Sequence, residues 1–179
     1  KNIHFKNFFF KKKYSINYKI LNIFKNLIKE KSELISSLTE DYKDSFSNKI
    51  IKKLKKTKNF LIIGMGGSVL GSKAIYNFLY PLKKKFTFLN NFSDTTFEEN
   101  KKKTILIISK SGNTLETILN SNILINKKNK SLFITENKKS YLLKLANELK
   151  SEIIYHNNFI GGRYSVLSEV GMLPAQLMG

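Results

Sequence analysis

Cysteine and tryptophan are absent from this 179-residue sequence, and it contains only 2 prolines. Without cysteine, disulfide bonds, thiolate catalysis and Cys-based metal sites are excluded. Long apolar runs are missing too, since the longest, 60–71, is interrupted by glycines and Ser68 and falls short of the roughly 18 residues of a membrane span. The basic residues 1–13 lack the apolar core and cleavage site of a signal peptide. We therefore expect a cytoplasmic protein without membrane contact.

Acidic residues are scarce: 13 Asp and Glu stand against 32 Lys and Arg, for a formal net charge of +19. Such a charge raises the question of nucleic acid. However, every Lys or Arg except Arg163 is a lysine, whereas nucleic-acid surfaces usually exploit the planar arginine fork. The abundance of Asn, Ile and Phe is typical of an AT-rich genome. We interpret the charge as a solvated surface that attracts phosphorylated metabolites, and expect no nucleic-acid partner.

Apolar side chains at helical spacing predict N-terminal helices over 17–38 and 43–56, which we interpret as packing elements without chemistry. We expect residues 1–56 to form a helical segment ahead of a domain over 57–179. The chain begins at Lys1 rather than Met, from which we expect it to be part of a longer gene product.

From residue 59, short apolar runs alternate with amphipathic stretches. Strands are predicted at 60–63, 86–89, 104–108, 131–134 and 152–155. Helices are predicted between them at 68–80, 95–100, 114–126 and 138–149. This alternation predicts an α/β fold with a parallel sheet covered by helices on both faces, since parallel strands need crossover connections. In such sheets ligands bind outside the carboxyl ends of the strands, so function is expected in the loops that follow them.

The first such loop is Gly64-Met65-Gly66-Gly67-Ser68, between a strand and a helix. Glycines let a backbone approach a ligand closely, and the helix N-terminus favours anions. The loop fits a dinucleotide site, a phosphate site or a tight turn. It is not a P-loop, because no Gly-Lys-Ser/Thr follows, and no acidic residue ends the next strand as a Rossmann site requires.

The second loop, Ser109-Lys110-Ser111-Gly112-Asn113-Thr114, crowds hydroxyl, amide and ammonium donors into six residues before a helix. A phosphate dianion needs many short donors of this kind around its oxygens. An elaborate helix cap is the alternative, but a cap needs only one such residue. We therefore favour an anion site.

The third segment, Gly161-Gly162-Arg163-Tyr164-Ser165, follows the last predicted strand and holds the only arginine of the chain. In a sequence that otherwise uses lysine for positive charge, this exception indicates a need for a fixed bidentate donor. The alternative is an incidental arginine in a turn.

Together the three segments resemble phosphoglucose isomerase. That family has a Gly-Gly-Ser loop after its first sheet strand, a phosphate loop that begins Ser-Lys-Ser/Thr and ends in Thr, and a Gly-Gly-Arg-Tyr/Phe-Ser signature. They stand here at Gly66-Gly67-Ser68, at 109–114 and at 161–165 continuing to Gly171, the last motif being the most specific. The resemblance covers roughly 57–179 and implies a sugar isomerase (SIS) domain, with a five-stranded parallel sheet flanked by helices.

The resemblance also implies a substrate site, formed by Gly67, Ser68, Ser109, Lys110, Ser111, Gly112, Asn113 and Thr114. By motif position, the hydroxyls of Ser109, Ser111 and Thr114 would hold the substrate phosphate, and Lys110 would add charge. Gly67–Ser68 would line the sugar.

The implied reaction interconverts glucose 6-phosphate and fructose 6-phosphate through an enediolate. Arg163 would be the catalytic residue of this chain, stabilising negative charge that is present only along the reaction path. No metal and no organic cofactor are implied. The full-length protein is expected to be a homodimer, and whether mannose 6-phosphate is also a substrate stays open.

Three departures from the family pattern stand out. Ser111-Gly112-Asn113 replaces the Thr-Phe-Thr of many members, which leaves substrate breadth open. Glu169 occupies a position where the signature usually has a small residue, placing a carboxylate near the site or a neighbouring helix. The family's general-base Glu, ring-opening His and catalytic Lys come after the Gly-Gly-Arg motif, and this chain stops at Gly179. His4 and His156 do not match that His and are expected to be ordinary surface residues.

Two other classes of function are weighed against the enzyme. A SIS domain could sense a sugar phosphate without catalysis, but a sensor has no evident need for an enediolate-stabilising arginine. A basic nucleic-acid-binding module is supported by no motif.

Overall fold

Five parallel strands form one sheet. The computed structural model describes residues 17–30, 32–92, 103–125 and 129–179. The strands are β1 (Asn59–Gly64), β2 (Lys85–Leu89), β3 (Thr104–Ile108), β4 (Lys130–Thr135) and β5 (Glu152–Tyr155). Their order across the sheet is β2-β1-β3-β4-β5, with every neighbouring pair parallel. The predicted α/β fold is confirmed, with every predicted strand in place.

Helices connect these strands and pack on the sheet. They are α1 (Tyr18–Lys29), α2 (Glu33–Ser36), α3 (Asn48–Leu54), α4 (Gly67–Leu79), α5 (Leu115–Leu124), α6 (Tyr141–Glu148), a 3-10 helix (Gly162–Leu167) and α7 (Glu169–Met178). The helices predicted at 68–80, 114–126 and 138–149 are confirmed as α4, α5 and α6, whereas the one predicted at 95–100 lies outside the described residues. None of the helices in the described ranges is long and apolar enough to cross a membrane.

The core lies on both faces of the sheet because side chains alternate along each strand. On one face, residues such as Ile62 and Leu106 pack with Val69 of α4 and Leu173 of α7. On the other face, residues such as Ile63 and Ile107 pack with Leu142 of α6. All five residues of β3 are buried, which explains why four of them in succession, Ile105 to Ile108, are apolar.

The N-terminal helices are shorter than predicted. The stretch expected as one helix over 17–38 forms α1 and α2, because the side chain of Ser32 accepts a hydrogen bond from the Ile35 amide and starts a new helix. The second predicted helix, over 43–56, is confirmed only as α3. Ile50 and Leu54 of α3 are buried in the core, as expected of a packing element. No residue of α1 is buried within the described part of the chain, so the packing role expected of α1 stays a prediction.

Candidate functional site

The three loops singled out in the sequence lie at the carboxyl edge of the sheet. The first follows β1 and the second follows β3, and these strands are neighbours, with Gly64 paired to Ile108 at their ends. The chain leaves β1 towards β2 on one side and leaves β3 towards β4 on the other. The gap between β1 and β3 is therefore the topological switch point, where open α/β sheets bind ligands. The predicted placement of Ser68 and Thr114 at one edge is confirmed.

The first loop needs glycine at two positions for different reasons. Gly66 has a φ of 54°, in the left-handed region that side chains disfavour. At Gly67 an added Cβ would overlap the carbonyl oxygen of Gly162 and lie 3.0 Å from Cα of Arg163. The missing side chain of Gly67 thus lets the first loop touch the backbone that carries Arg163.

Replacing Gly67 with alanine should therefore disturb the third segment. The new methyl group meets backbone atoms, which cannot rotate away, so we expect a loss of about 1–3 kcal/mol in the free energy of unfolding. Chemical denaturation would measure it. Gly162→Ala is the matched control, because a Cβ there meets no atom within 4 Å. Equal stability of Gly67→Ala and the wild type would contradict the contact.

The second loop gathers hydroxyl groups at the start of α5. Oγ of Ser109 and Oγ1 of Thr114 lie 3.0 Å apart and share one hydrogen bond. Because two hydroxyl protons are present and only one is shared, another stays available to a ligand. Oγ of the exposed Ser111 accepts from the Asn113 amide at 3.3 Å, which leaves its own proton free to donate. No side chain caps the start of α5, so its N-terminus adds to this set of donors.

The side chains of Lys110 and Asn113 form hydrogen bonds with other parts of the protein. The Lys110 ammonium donates to the carbonyl oxygen of Asn158 at 2.8 Å and lies 3.4 Å from Glu136. Oδ1 of Asn113 accepts from the backbone amide of Tyr141 at 2.9 Å, at the first residue of α6. Both side chains therefore hold the loop in place, a function that the sequence did not reveal.

Gly112 completes the packing of the second loop. It has a φ of 65°. An added Cβ would overlap Oγ of Ser140 and lie 2.9 Å from Oγ1 of Thr135. Its carbonyl oxygen also accepts from the Leu142 amide at 3.0 Å. Only glycine permits this turn and this close approach to α6.

The third segment forms the 3-10 helix and leaves Arg163 exposed. Arg163 and Val166 line an open cleft of about 440 Å³ together with Gly67, Leu70, Gly71, Ala74 and Ile75 of α4. This volume is within the ordinary range for small-molecule sites. The first and third segments are in contact at Gly67. The second loop follows β3, which neighbours β1, so it lies beside the first loop at the switch point.

His156 is buried, so the prediction of a surface residue is wrong for it; His4 lies outside the described residues. Only 4% of His156 is exposed, and Glu169 is fully buried. Nδ1 of His156 lies 2.5 Å from Oε1 of Glu169. A histidine buried in this way needs a partner, and the carboxylate supplied by Glu169 is that partner.

Tyr42 and Asn157 extend this pair into a network. The Tyr42 hydroxyl donates to Oε2 of Glu169 at 3.4 Å and accepts from Nδ2 of Asn157 at 3.0 Å. Sequence reasoning missed both residues, because the contacts join positions far apart in the chain. The only signal was the unusual carboxylate at position 169.

Two carboxyl groups in this region have pKa values shifted in opposite directions. Burial raises the pKa of the Glu169 carboxyl, but hydrogen bonds from His156 and backbone amides lower it more, so the net pKa is below its ordinary value. Burial and the charge of Glu169 raise the pKa of Asp44. Glu169 therefore stays ionised at neutral pH. Among the described residues, no three histidine or carboxylate side chains are grouped as ligands for a metal.

The sheet and its loops define the class of this protein: it contains a SIS-type α/β domain. A hypothetical protein from Thermus thermophilus shares the fold, with a TM-score of 0.69 and 22% identity over 90% of this chain and 44% of that one. The family model for phosphoglucose isomerase matches residues 24–179. The chain therefore belongs to the phosphoglucose isomerase family.

Curated relatives agree with this assignment. The glucose-6-phosphate isomerase of Methanocaldococcus jannaschii is 36% identical over 141 residues, which cover 72% of this chain. That of Mycoplasma genitalium is 36% identical over 152 residues, which cover 74% of this chain. In both cases the chain spans 35% of the length of the relative.

Proposed function

We propose that this chain is the sugar-phosphate-binding part of an isomerase that interconverts glucose 6-phosphate and fructose 6-phosphate. The observation that carries the proposal is the contact of Gly67 with the backbone of Gly162 and Arg163. It supports the proposal because the chain belongs to the phosphoglucose isomerase family. It brings the only arginine of the chain to the loop beside the donor-rich second loop. A phosphate and a developing negative charge could thus be bound at one edge of the sheet.

In this proposal the phosphate is bound by the hydroxyls of Ser109, Ser111 and Thr114 and by the N-terminus of α5. Gly67 and Ser68 line the sugar. Lys110, Gly112 and Asn113 shape the loop, and the Lys110 charge acts on the phosphate from its position beside Glu136. A bound phosphate is thereby anchored while the carbonyl end of the sugar is presented towards Arg163.

Arg163 has the chemical role in this chain. Moving a proton between C2 and C1 of the sugar places negative charge on the adjacent oxygens in the enediolate. A guanidinium stays charged at any working pH and donates two parallel hydrogen bonds, so it stabilises that charge without itself titrating. A protein that only sensed the sugar phosphate would gain nothing from stabilising an intermediate. We further propose that the complete gene product is a cytoplasmic homodimer.

Removing donors from the second loop tests the binding half of the proposal. Ser111→Ala with Thr114→Val should weaken binding by roughly 1.5–3 kcal/mol for each lost hydrogen bond to a charged phosphate. Calorimetry with glucose 6-phosphate and with inorganic phosphate measures this loss. Ser131→Ala, at the opposite edge of the sheet where Ser131 contacts Ser151, is the control and should bind normally. Unchanged affinity in the double variant would remove the phosphate assignment.

A further inference from the structure

The loop that carries Arg163 is closed at its base by a buried contact between a histidine and a carboxylate. The chain leaves β5 at His156, runs through the 3-10 helix and enters α7 at Glu169. His156 and Glu169 join the two ends of this loop through the contact of 2.5 Å between Nδ1 and Oε1. The backbone amide of Asn157 donates to the same carboxylate oxygen at 3.4 Å.

The His156 ring has a hydrogen-bonding partner at each nitrogen. Nδ1 faces the Glu169 carboxylate, and Nε2 lies 3.2 Å from the carbonyl oxygen of Ile160. Tyr42 and Asp44 are the other titratable groups near Glu169. Because one partner is a buried carboxylate, its hydrogen bond with the ring is charge-assisted and holds the two ends of the loop more firmly than a contact between neutral groups.

The rest of the loop is held by contacts of a different kind. Within it, Ser165 donates to the carbonyl oxygen of Gly162 at 2.8 Å, and Ser168 donates to that of Ser165 at 2.7 Å. These bonds make the 3-10 helix a local unit but do not attach it to the sheet. Towards α4, the loop rests on Gly67 and Gly71, where backbone and the Val166 side chain pack closely. Lys110 adds one directed bond from outside the loop by donating to the carbonyl oxygen of Asn158 at 2.8 Å. The packing on α4 limits approach but sets no direction, whereas the contact between His156 and Glu169 joins the two ends of the loop directly.

We propose that His156 and Glu169 are positioning residues that place Arg163 at the candidate site. This inference rests on the proposed function for the role of Arg163, although the placement itself can be tested without activity. If the pair is weakened, the 3-10 helix can shift as a unit on its glycine contacts, and Arg163 shifts with it. The pair thus acts on the reaction through Arg163 and does not touch the substrate.

Arg163 offers a direct probe because it is the only arginine in the chain. The 179-residue chain labelled with ¹⁵N-arginine gives one backbone amide signal and one Nε signal, and both report on this residue. Glu169→Gln keeps the size of the side chain and removes its charge, so both signals should shift or broaden. Glu148→Gln is the matched control, because Glu148 pairs with Lys144 on the exposed face of α6 and should leave them unchanged.

The same variant has a kinetic signature in the complete gene product. Glu169→Gln should lower kcat for glucose 6-phosphate about 10–10²-fold, as expected for a misplaced catalytic group, with little change in KM. In an Arg163→Ala background it should lower kcat no further, because the residue through which it acts is gone. A pair that only stabilised the fold would lower activity equally in both backgrounds.

The outcomes separate the two proposals. Unshifted Arg163 signals in a folded Glu169→Gln protein, or equal kcat losses in both backgrounds, would overturn the positioning role. If Glu169→Gln does not fold, Tyr42→Phe replaces it, since it removes the hydroxyl that donates to Glu169 and accepts from Asn157. Unshifted Arg163 signals in that variant would overturn the role as well. A complete gene product that does not isomerise would contradict the proposed function, and the Arg163 signals would still decide the inference.

Discussion

Arg163→Ala is expected to lower kcat of the complete gene product about 10²–10³-fold, by analogy with the loss of an oxyanion donor, while KM changes much less. In the proposed function, the Arg163 guanidinium stabilises negative charge that is present in the enediolate and absent from the bound sugar. Its removal should therefore affect the chemical step more than substrate binding. A coupled spectrophotometric assay with glucose 6-phosphate or fructose 6-phosphate gives both constants.

Arg163→Lys is the informative companion variant. Lysine keeps the charge but loses the planar fork, so its kcat should fall between those of the alanine variant and the wild type. Calorimetry with inorganic phosphate should give the same affinity for all three proteins, because the donors of the second loop are intact. A rise in KM with unchanged kcat would show that Arg163 only binds substrate, and its catalytic assignment would be wrong.

The 179-residue chain by itself should isomerise at least about 10²–10⁴-fold more slowly than the complete gene product, the contribution of a positioned general base. None of its carboxylates matches the base of the family by motif. Glu169, which lies within the signature, is fully buried and contacts His156 and Tyr42, so it is not exposed to a ligand as a base. The two proteins should nevertheless bind inorganic phosphate with comparable affinity.

The comparison needs equal molar amounts in one coupled assay, with the Arg163→Ala chain as the background control. Turnover by the chain at a rate near that of the complete gene product would place the base within residues 1–179. Glu116, in the first turn of α5, and Glu136, beside Lys110, would then be the residues to replace with glutamine.

The sequence was sufficient to predict the sheet, because a strand buried on both faces is largely apolar and does not alternate. β3 is the clearest case: each residue from Thr104 to Ile108 is buried, and the predicted bounds equal the observed ones. The N-terminal region was predicted less well. Its helical spacing was real, but a pattern of apolar residues does not show where a cap such as Ser32 divides a helix.

Most residues of the candidate site could also be identified from short sequence segments. Hydroxyls, glycines and the only arginine followed strands, and the carboxyl ends of parallel strands meet at one edge whatever the details of packing. What local sequence could not show is which donors are already engaged. Lys110 contacts Asn158, and Asn113 contacts the start of α6, because those partners arrive from later parts of the chain.

Only the tertiary structure decided the environment of His156. From the sequence it was a polar residue after a short strand, which is most often solvated. It is buried against Glu169, which lies on the first turn of α7 and supplies the hydrogen-bonding partner that a buried imidazole needs. Gly67 is similar. The sequence around it fits a tight turn, but a side chain is excluded there because the backbone of Gly162, far along the chain, lies against it. Periodicity and composition record local preference, whereas contacts between distant segments exist only after the sheet has brought them together.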